Sequence, residues 1–161
     1  MPYFAATQPP IGSFKRMATL ERAIEIAARA HAGVEDKAHQ PYLLHPLRMV
    51  LALRTTDERI VAALHDVVED ANWTLEQLRA EGFSDAVIAA VDALTKRPRE
   101  SRMEAAQRAA QNAIARHVKL ADLTDNMDLS RIDNPGPRDY ARIEEYREIR
   151  AFLERAVGTA Q

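Results

Sequence analysis

The spacing of apolar residues is the feature that most limits what this chain can fold into. Residues three and four positions apart share one face of a helix, and apolar residues recur at this spacing in 20–28 and again in 87–94. No stretch shows the sustained alternation of apolar and polar residues, rich in β-branched types, that predicts a strand. The sequence therefore predicts an all-α fold without a sheet.

Residues that start and stop helices divide this pattern into elements. Ser, Thr and Asp are favoured just before a helix, Pro at its first position and Gly just after its end. The signals are Gly33 at the end of a first helix that starts at Ser13, Pro46 at the start of a second, Asp57 before a third, Thr74 with Gln77 before a fourth, and Ser84 before a fifth. The predicted helices cover residues 13–33, 46–53, 58–70, 75–80, 85–95, 101–129 (with a break allowed at Asn112) and 138–157.

Length and composition predict one folded domain. A chain of 161 residues, of which 47% are hydrophobic and 29% charged, can bury a substantial core. Residues 1–13 are rich in proline and glycine and are predicted to form a flexible N-terminal arm, which leaves 14–161 as the domain. No heptad pattern persists, so we expect a compact bundle and not a coiled coil.

Charge and composition exclude several functional classes. The net charge of −2 provides no general field for gripping nucleic acid. Without cysteine, the chain has neither a disulfide nor a thiolate metal site. No run approaches the roughly 20 apolar residues that a membrane span needs, and the N-terminus does not have the pattern of a signal peptide. We therefore expect a cytoplasmic protein that binds neither nucleic acid nor a membrane.

The segment ALHDVVED places four ionisable groups among apolar residues. On a continuous helix, Asp66, Glu69 and Asp70 would share one face, with His65 at its edge. Carboxylates this close repel one another unless a cation lies among them or water surrounds them. From this segment alone, a solvated helix face and a metal-dependent catalytic site are both open.

Two further residues favour the metal site. His45 lies at the mouth of the predicted second helix, and Asp122 lies among apolar residues, where an unpaired charge is costly. The alternative to a metal ion is an ion pair between Asp122 and Lys119, one helical turn earlier. Two imidazoles and two carboxylates from three helices suit a divalent ion such as Mn²⁺, Fe²⁺, Zn²⁺ or Mg²⁺. Four ligands also leave coordination positions open for water and a substrate oxygen, as in a catalytic site.

The order His45, His65 with Asp66, and then Asp122 resembles the metal-binding signature of the HD superfamily of metal-dependent phosphohydrolases. The segments AHAGVEDKAHQPYLLHPLRMV, ALHDVVED and VKLADLTDNM are similar to the hydrolase domain of the RelA/SpoT alarmone enzymes and to the stand-alone small alarmone hydrolases. The resemblance implies a single compact HD-domain helical bundle with one divalent metal, usually Mn²⁺. It also implies removal of the 3′-pyrophosphate from an alarmone nucleotide of the ppGpp or ppApp type.

The resemblance implies a role for each matching residue. The implied metal ligands are His45, His65, Asp66 and Asp122, and the implied acidic pair that orients and deprotonates the attacking water is Glu69 with Asp70. The candidates for substrate binding are Lys37 in the loop before the first histidine, Asn126, and Tyr146 on the last helix, for which packing is the alternative. The expected partner is a small nucleotide, and self-association into a homo-oligomer is left open.

Four positions depart from the family pattern. Asp36 and Leu123 occupy positions where arginine is usual, Asp125 replaces a histidine and Leu129 replaces a threonine. Because these positions surround the substrate in the family, three activities stay open. The first is hydrolysis of an alarmone to release pyrophosphate. The second is a phosphatase reaction on a nucleotide monophosphate ester or on NADPH, and the third is nucleotide binding without catalysis.

Overall fold

The structure, a computed structural model, describes residues 17–158, and helices joined by turns form that part of the chain. The helices are α1 (Leu20–Ala30), α2 (Leu44–Ala52), α3 (Thr56–Leu64), α4 (Val67–Asp70), α5 (Leu75–Glu81), α6 (Asp85–Leu94), α7 (Arg102–Ala110), α8 (Ala113–Asn126) and α9 (Pro137–Gly158). A 3₁₀ turn covers Leu129–Arg131, and Glu35 pairs with Pro41 in an isolated bridge. The all-α prediction is confirmed for this range. The arm predicted over residues 1–13 lies outside the described residues.

Helices α3 and α8 lie at the centre of the core. α3 packs against α1, α2 and α6 as well as against α8, and α8 also contacts α2, α6, α7 and α9. The main apolar cluster contains the fully buried Ile26, Leu64 and Ile88. Because burial of apolar surface is the main favourable contribution to folding, these contacts hold α3 and α8 in a defined relation.

A second apolar cluster attaches α9 to the rest of the fold. Ile149 and Leu153 on α9 pack with Ala106 of α7 and Leu123 of α8, and all four are buried. Tyr146 packs against the same cluster. The leucine at position 123 therefore has a packing role in this chain, where the family pattern has an arginine.

Capping residues set several boundaries as predicted. Thr74 and Gln77 form a capping box at the start of α5, and Ser84 caps α6. Asn112 caps α8, which confirms a break within 101–129. The cap predicted at Asp57 is wrong.

The cap of α3 is Thr55, whose side chain accepts a hydrogen bond from the Glu58 backbone N–H, while the Glu58 carboxylate accepts one from the Thr55 N–H. This reciprocal box satisfies two otherwise unpaired donors, whereas Asp57 lies inside the helix. The helix therefore begins at Thr56, two residues before the predicted start.

The first two helices also differ from their predicted limits. α1 begins at Leu20 after the cap Thr19, and it ends at Ala30, so Gly33, with φ 77°, lies in the following turn. α2 begins at Leu44, two residues before Pro46. A proline is tolerated there because the first four N–H groups of a helix have no acceptor within it.

The helix predicted over 58–70 is interrupted in its middle. α3 ends at Leu64, α4 begins at Val67, and Asp66 between them has φ −104° and ψ −8°. A regular helix directs successive side chains about 100° apart, whereas the turn here lets His65 and Asp66 contact each other at 2.8 Å. The break falls before Asp66, which is the N-cap of α4: its backbone carbonyl accepts a hydrogen bond from the Asp70 N–H at 2.8 Å, so Asp66, Glu69 and Asp70 stay within one helical turn, separate from α3.

Among the described helices, none combines the length and the apolar character needed to cross a membrane.

Replacing Leu153 by alanine tests the packing of α9. Leu153 is fully buried, so Leu153→Ala leaves a cavity and is expected to lower the free energy of unfolding by about 2–5 kcal/mol. Leu51→Ala is the matched control, because the Leu51 side chain is 82% exposed and its loss should change stability little. Urea unfolding followed by circular dichroism measures both. Equal losses in the two variants would contradict the assigned packing.

Candidate metal centre and active site

Three predicted metal ligands meet where α2, α3 and α8 converge. His45 comes from the first turn of α2, His65 follows the last residue of α3, and Asp122 lies near the end of α8. All three are buried, and their potential ligand atoms lie within 4.8 Å of one another. Residues far apart in sequence thus form one compact donor set of two imidazoles and a carboxylate.

Hydrogen bonds orient both imidazoles. His65 Nδ1 donates to the backbone carbonyl of Ala62 at 2.8 Å, and His45 Nδ1 donates to Asp125 Oδ2 at 2.7 Å. With Nδ1 engaged, each ring directs Nε2 toward an acid: His45 Nε2 lies 3.4 Å from Asp122 Oδ1, and His65 Nε2 lies 2.8 Å from Asp66 Oδ2. Fixing one ring nitrogen in this way presents the other to a metal ion.

Asp66 adjoins this group but is not one of its three members. Its carboxylate accepts a hydrogen bond from the Tyr42 hydroxyl, and Asp66 Oδ2 lies 2.8 Å from His65 Nε2. Burial alone would raise the pKa of Asp66, but the attraction of His65 and the bond from Tyr42 lower it to about 2. Asp66 is therefore an anion at neutral pH, and its role as a fourth ligand stays a prediction.

The charge of Asp122 has partners on its own helix. Lys119 Nζ lies 2.8 Å from Asp122 Oδ2, and the Asn126 amide donates to Oδ1. Burial would raise the pKa of Asp122, but Lys119 and the two imidazoles hold it well below its usual range. In turn, Asp122 raises the pKa of Lys119. The predicted pairing of Asp122 with Lys119 is present, together with the histidine contacts.

Electrostatics at His45 fit a cation site. Burial opposes a charge on this imidazole, but hydrogen bonds to Asp122 and Asp125 outweigh burial and raise the pKa of His45 to about 9. The surrounding carboxylates therefore favour positive charge at this point. The donor types, the buried position and this charge preference together fit a divalent metal ion.

Glu69 and Asp70 lie one turn beyond the helix break, on α4, and both are exposed. Glu69 Oε2 accepts a hydrogen bond from the Lys96 backbone N–H at 3.0 Å. Partial burial, followed by the negative charges of Asp66 and Glu69, raises the pKa of Asp70. A carboxylate with a raised pKa is a better proton acceptor, which agrees with the predicted role of this pair without testing it.

Two adjoining cavities open at this site. The site cavity, of about 260 Å³, is lined by the metal-ligand candidates and the acidic pair, together with Lys96, Arg102 and Lys119. The adjoining cavity, also of about 260 Å³, is lined by the 35–38 loop, the 3₁₀ turn and the start of α9. Four residues line both cavities: Tyr42, His45, Asn126 and Tyr146.

The predicted substrate-binding residues all line these cavities. Lys37 lines the adjoining cavity, and its Nζ lies 3.1 Å from Asp139 Oδ1. Asn126 and Tyr146 lie at the boundary of the two cavities, and the Arg102 guanidinium carbon lies 5.9 Å from the centre of the Tyr146 ring. Their contacts with a substrate stay predictions.

Sequence reasoning missed three residues that organise the site. Tyr42 binds Asp66, and Arg48 and Arg131 both bind the Asp125 carboxylate. The one available signal was that Asp125 lies three positions after Asp122 and so shares its helix face. Nothing local marks Tyr42 or Arg48, because their partners lie 24 and 77 positions away, while Arg131 is six positions from Asp125 in the turn after α8.

Comparison with known proteins places the chain in a family. A profile described as the HD domain matches residues 23–132, which is more than half of the chain. The chain belongs to the HD domain family. Membership implies a divalent metal ion, and the cluster of His45, His65 and Asp122 is a group of residues that suits one.

Relatives of this HD domain protein confirm the resemblance seen in the sequence. It is 39% identical over 121 residues, 67% of its length, to the GTP pyrophosphokinase of Streptomyces coelicolor. It is 33% identical over 153 residues, 85% of its length, to the probable guanosine-3′,5′-bis(diphosphate) 3′-pyrophosphohydrolase of Synechocystis sp.. The chain spans only 14% and 20% of these two relatives.

A solved structure shares the fold. A metazoan ortholog of SpoT that hydrolyses ppGpp superposes with a TM-score of 0.68, covering 86% of each chain at 21% sequence identity. This likeness confirms the expected HD-domain helical bundle.

Removing one imidazole tests the metal centre. His65→Ala is expected to weaken Mn²⁺ binding by at least about 100-fold, because loss of a direct ligand should exceed the effect of losing a supporting residue. His39→Ala is the matched control, since the His39 side chain is 89% exposed and outside the cluster. Isothermal titration calorimetry gives both affinities, and circular dichroism checks folding. Unchanged affinity in His65→Ala would place the metal elsewhere.

Proposed function

We propose that this protein is a metal-dependent hydrolase that removes the 3′-pyrophosphate from an alarmone-like nucleotide of the ppGpp or ppApp type. The proposal includes Mn²⁺ as the ion, held by His45, His65, Asp66 and Asp122. The observation that carries it is the convergence of a buried His/Asp cluster with the Glu69–Asp70 pair in a single cavity. The Synechocystis relative is named for this reaction, and the structural neighbour hydrolyses ppGpp.

The residues around the site cavity have the chemical properties that this reaction needs. When bound, a divalent cation lowers the pKa of water and neutralises charge that develops on the attacked phosphoryl group. Asp70, with its raised pKa, accepts the proton of the attacking water, and Glu69 helps to orient that water. Water attacks the phosphorus attached to the 3′-oxygen and the bond between that phosphorus and the 3′-oxygen breaks. The products are pyrophosphate, which keeps the water oxygen, and a nucleotide whose 3′-oxygen takes up a proton and becomes a hydroxyl. No covalent nucleophile is required.

Basic residues lie where the diphosphate would be placed. Lys119 and Arg102 line the site cavity, and Lys96 lies at its edge beside Glu69. Phosphate oxygens bind such cationic donors strongly, and guanidinium groups can bind them through two hydrogen bonds. These side chains supply local positive charge to a protein whose net charge is −2.

The adjoining cavity suits the nucleoside. Leu129, Ile132 and Ile143 give it an apolar wall, and its charged lining combines three basic side chains (Lys37, Arg131 and Arg142) with five acidic ones (Glu35, Asp36, Asp125, Asp128 and Asp139). Small-molecule sites typically combine apolar lining with a few placed polar groups. Because Asn126 and Tyr146 line both cavities, one nucleotide can extend from the cluster into this second space.

Product identity tests the proposed reaction. Purified protein with Mn²⁺ is expected to release pyrophosphate from ppGpp or ppApp, measured by separating the nucleotide and phosphate products by ion-exchange chromatography. A panel that includes NADPH and nucleoside 3′-monophosphates tests the competing activity. Release of orthophosphate alone would contradict the proposal and favour the phosphomonoesterase, whereas binding without turnover would favour a non-enzymatic module.

Neutralising Asp70 tests the division of roles. Asp70→Asn is expected to lower turnover by about 100- to 10,000-fold, the range for loss of a general base. Mn²⁺ affinity should be retained, because Asp70 lies outside the three-residue cluster. Asp57→Asn, at an exposed position of α3, is the control and should keep full turnover. Full activity in Asp70→Asn would remove this residue from the mechanism.

A further inference from the structure

We propose that Asp125 is a positioning residue that holds the His45 imidazole in the orientation required for metal binding. This inference rests on the metal centre of the proposed function. Asp125 occupies a position where the family pattern has histidine, so a carboxylate at this place is a property of this chain. It does not belong to the three-residue cluster and acts through His45.

The contact between Asp125 and His45 is short and shielded from water. Asp125 Oδ2 lies 2.7 Å from His45 Nδ1, and the two side chains are only 11% and 7% exposed. A carboxylate can only accept this hydrogen bond, so Nδ1 carries the proton and Nε2 is directed to Asp122. A carboxylate behind a metal-ligating imidazole fixes its orientation and makes it a stronger ligand.

Two arginines hold the Asp125 carboxylate in place. Arg48 Nε donates to Oδ1 at 2.5 Å, and Arg48 Nη2 donates to Oδ2 at 2.9 Å. Arg131 Nη2 donates to the Asp125 backbone carbonyl at 2.7 Å and lies 3.3 Å from Oδ2. Such paired contacts restrict the carboxylate in both position and rotation, so it gives His45 a rigid support.

Arg131 also connects the Asp125 carboxylate to the 35–38 loop. Arg131 Nη1 lies 3.3 Å from Asp36 Oδ2, and the other oxygen of Asp36 accepts hydrogen bonds from the backbone N–H groups of Ala38 and Gln40. Asp36 and Asp125, two of the four departures from the family pattern, are therefore ligands of one guanidinium group. Through Arg131, the loop that contains Asp36 is connected to Asp125 and so to the His45 imidazole.

Metal affinity in Asp125 variants tests the inference. Asp125→Ala removes the acceptor and is expected to weaken Mn²⁺ binding by about 10- to 100-fold, the range for loss of a residue that supports a metal ligand. Asp125→Asn keeps the shape and an acceptor oxygen but loses the charge, so Mn²⁺ affinity should fall less in this variant than in Asp125→Ala. Thermal unfolding monitors whether each variant folds, and the nearly isosteric asparagine keeps the test valid where alanine does not fold.

Asp128→Ala is the matched control. Asp128 follows Asp125 by three residues and lies 3.8 Å from Arg131 Nε, but its contacts are with Arg131 and Ser130 and not with His45. Its removal should leave Mn²⁺ affinity unchanged. Equal weakening in the Asp125 and Asp128 variants would show a general charge effect and overturn the positioning role.

A spectroscopic readout separates positioning from general destabilisation. In Zn²⁺-loaded protein, which is diamagnetic, long-range ¹H–¹⁵N correlation spectra are expected to show a slowly exchanging proton on His45 Nδ1. That proton should exchange faster in Asp125→Ala, while the His65 Nδ1 proton, which is bonded to Ala62, should be unaffected. An unchanged His45 spectrum together with unchanged Mn²⁺ affinity in Asp125→Ala would refute the inference.

The outcomes also distinguish this inference from the proposed function. Mn²⁺ binding that weakens in Asp125→Ala, in a protein that releases no pyrophosphate from any nucleotide, would support the positioning role and reject the hydrolase. Pyrophosphate release by the wild-type protein, together with unchanged Mn²⁺ affinity in Asp125→Ala, would support the hydrolase and reject the positioning role. A wild-type protein that binds no divalent ion would reject both.

Discussion

The buried carboxylate of Asp122 is the constraint on which the arrangement of the site depends. A charge removed from water is costly unless charged or hydrogen-bonding partners surround it. Lys119 and Asn126 supply part of this compensation from α8 itself, and His45 on α2 and His65 after α3 supply the rest. Part of this compensation therefore exists only where α2 packs beside the end of α8, as the apolar core holds it.

The interruption between α3 and α4 separates the polar segment from the end of α3 and gives its residues different environments. His65 and Asp66 lie in the break and take part in the buried network through Ala62 and Tyr42. Glu69 and Asp70 lie beyond the break, exposed on the cavity wall. The break lets the Asp66 carboxylate contact His65 while its backbone carbonyl caps the short helix that carries the two exposed acids.

The departures from the family pattern have structural explanations in three of four cases. Leu123 packs against Ile149 and Leu153, where a charged side chain would be buried. Asp36 and Asp125 share Arg131 and fix the loop and the histidine that border the two cavities. Leu129 belongs to the wall of the adjoining cavity, and nothing in the structure explains why it replaces a threonine.

By itself, the sequence determined the helical class, most helix boundaries and the candidate ligands, because periodicity and capping depend on residues within about one turn of each other. The break at His65 and Asp66, the orientation of both imidazoles and the support of Asp125 were decided only by tertiary structure. The contacts responsible join Tyr42 to Asp66, His45 to Asp125 and Asp36 to Arg131, across 24, 80 and 95 positions. Such pairs exist only after the helices pack, and packing sets their geometry.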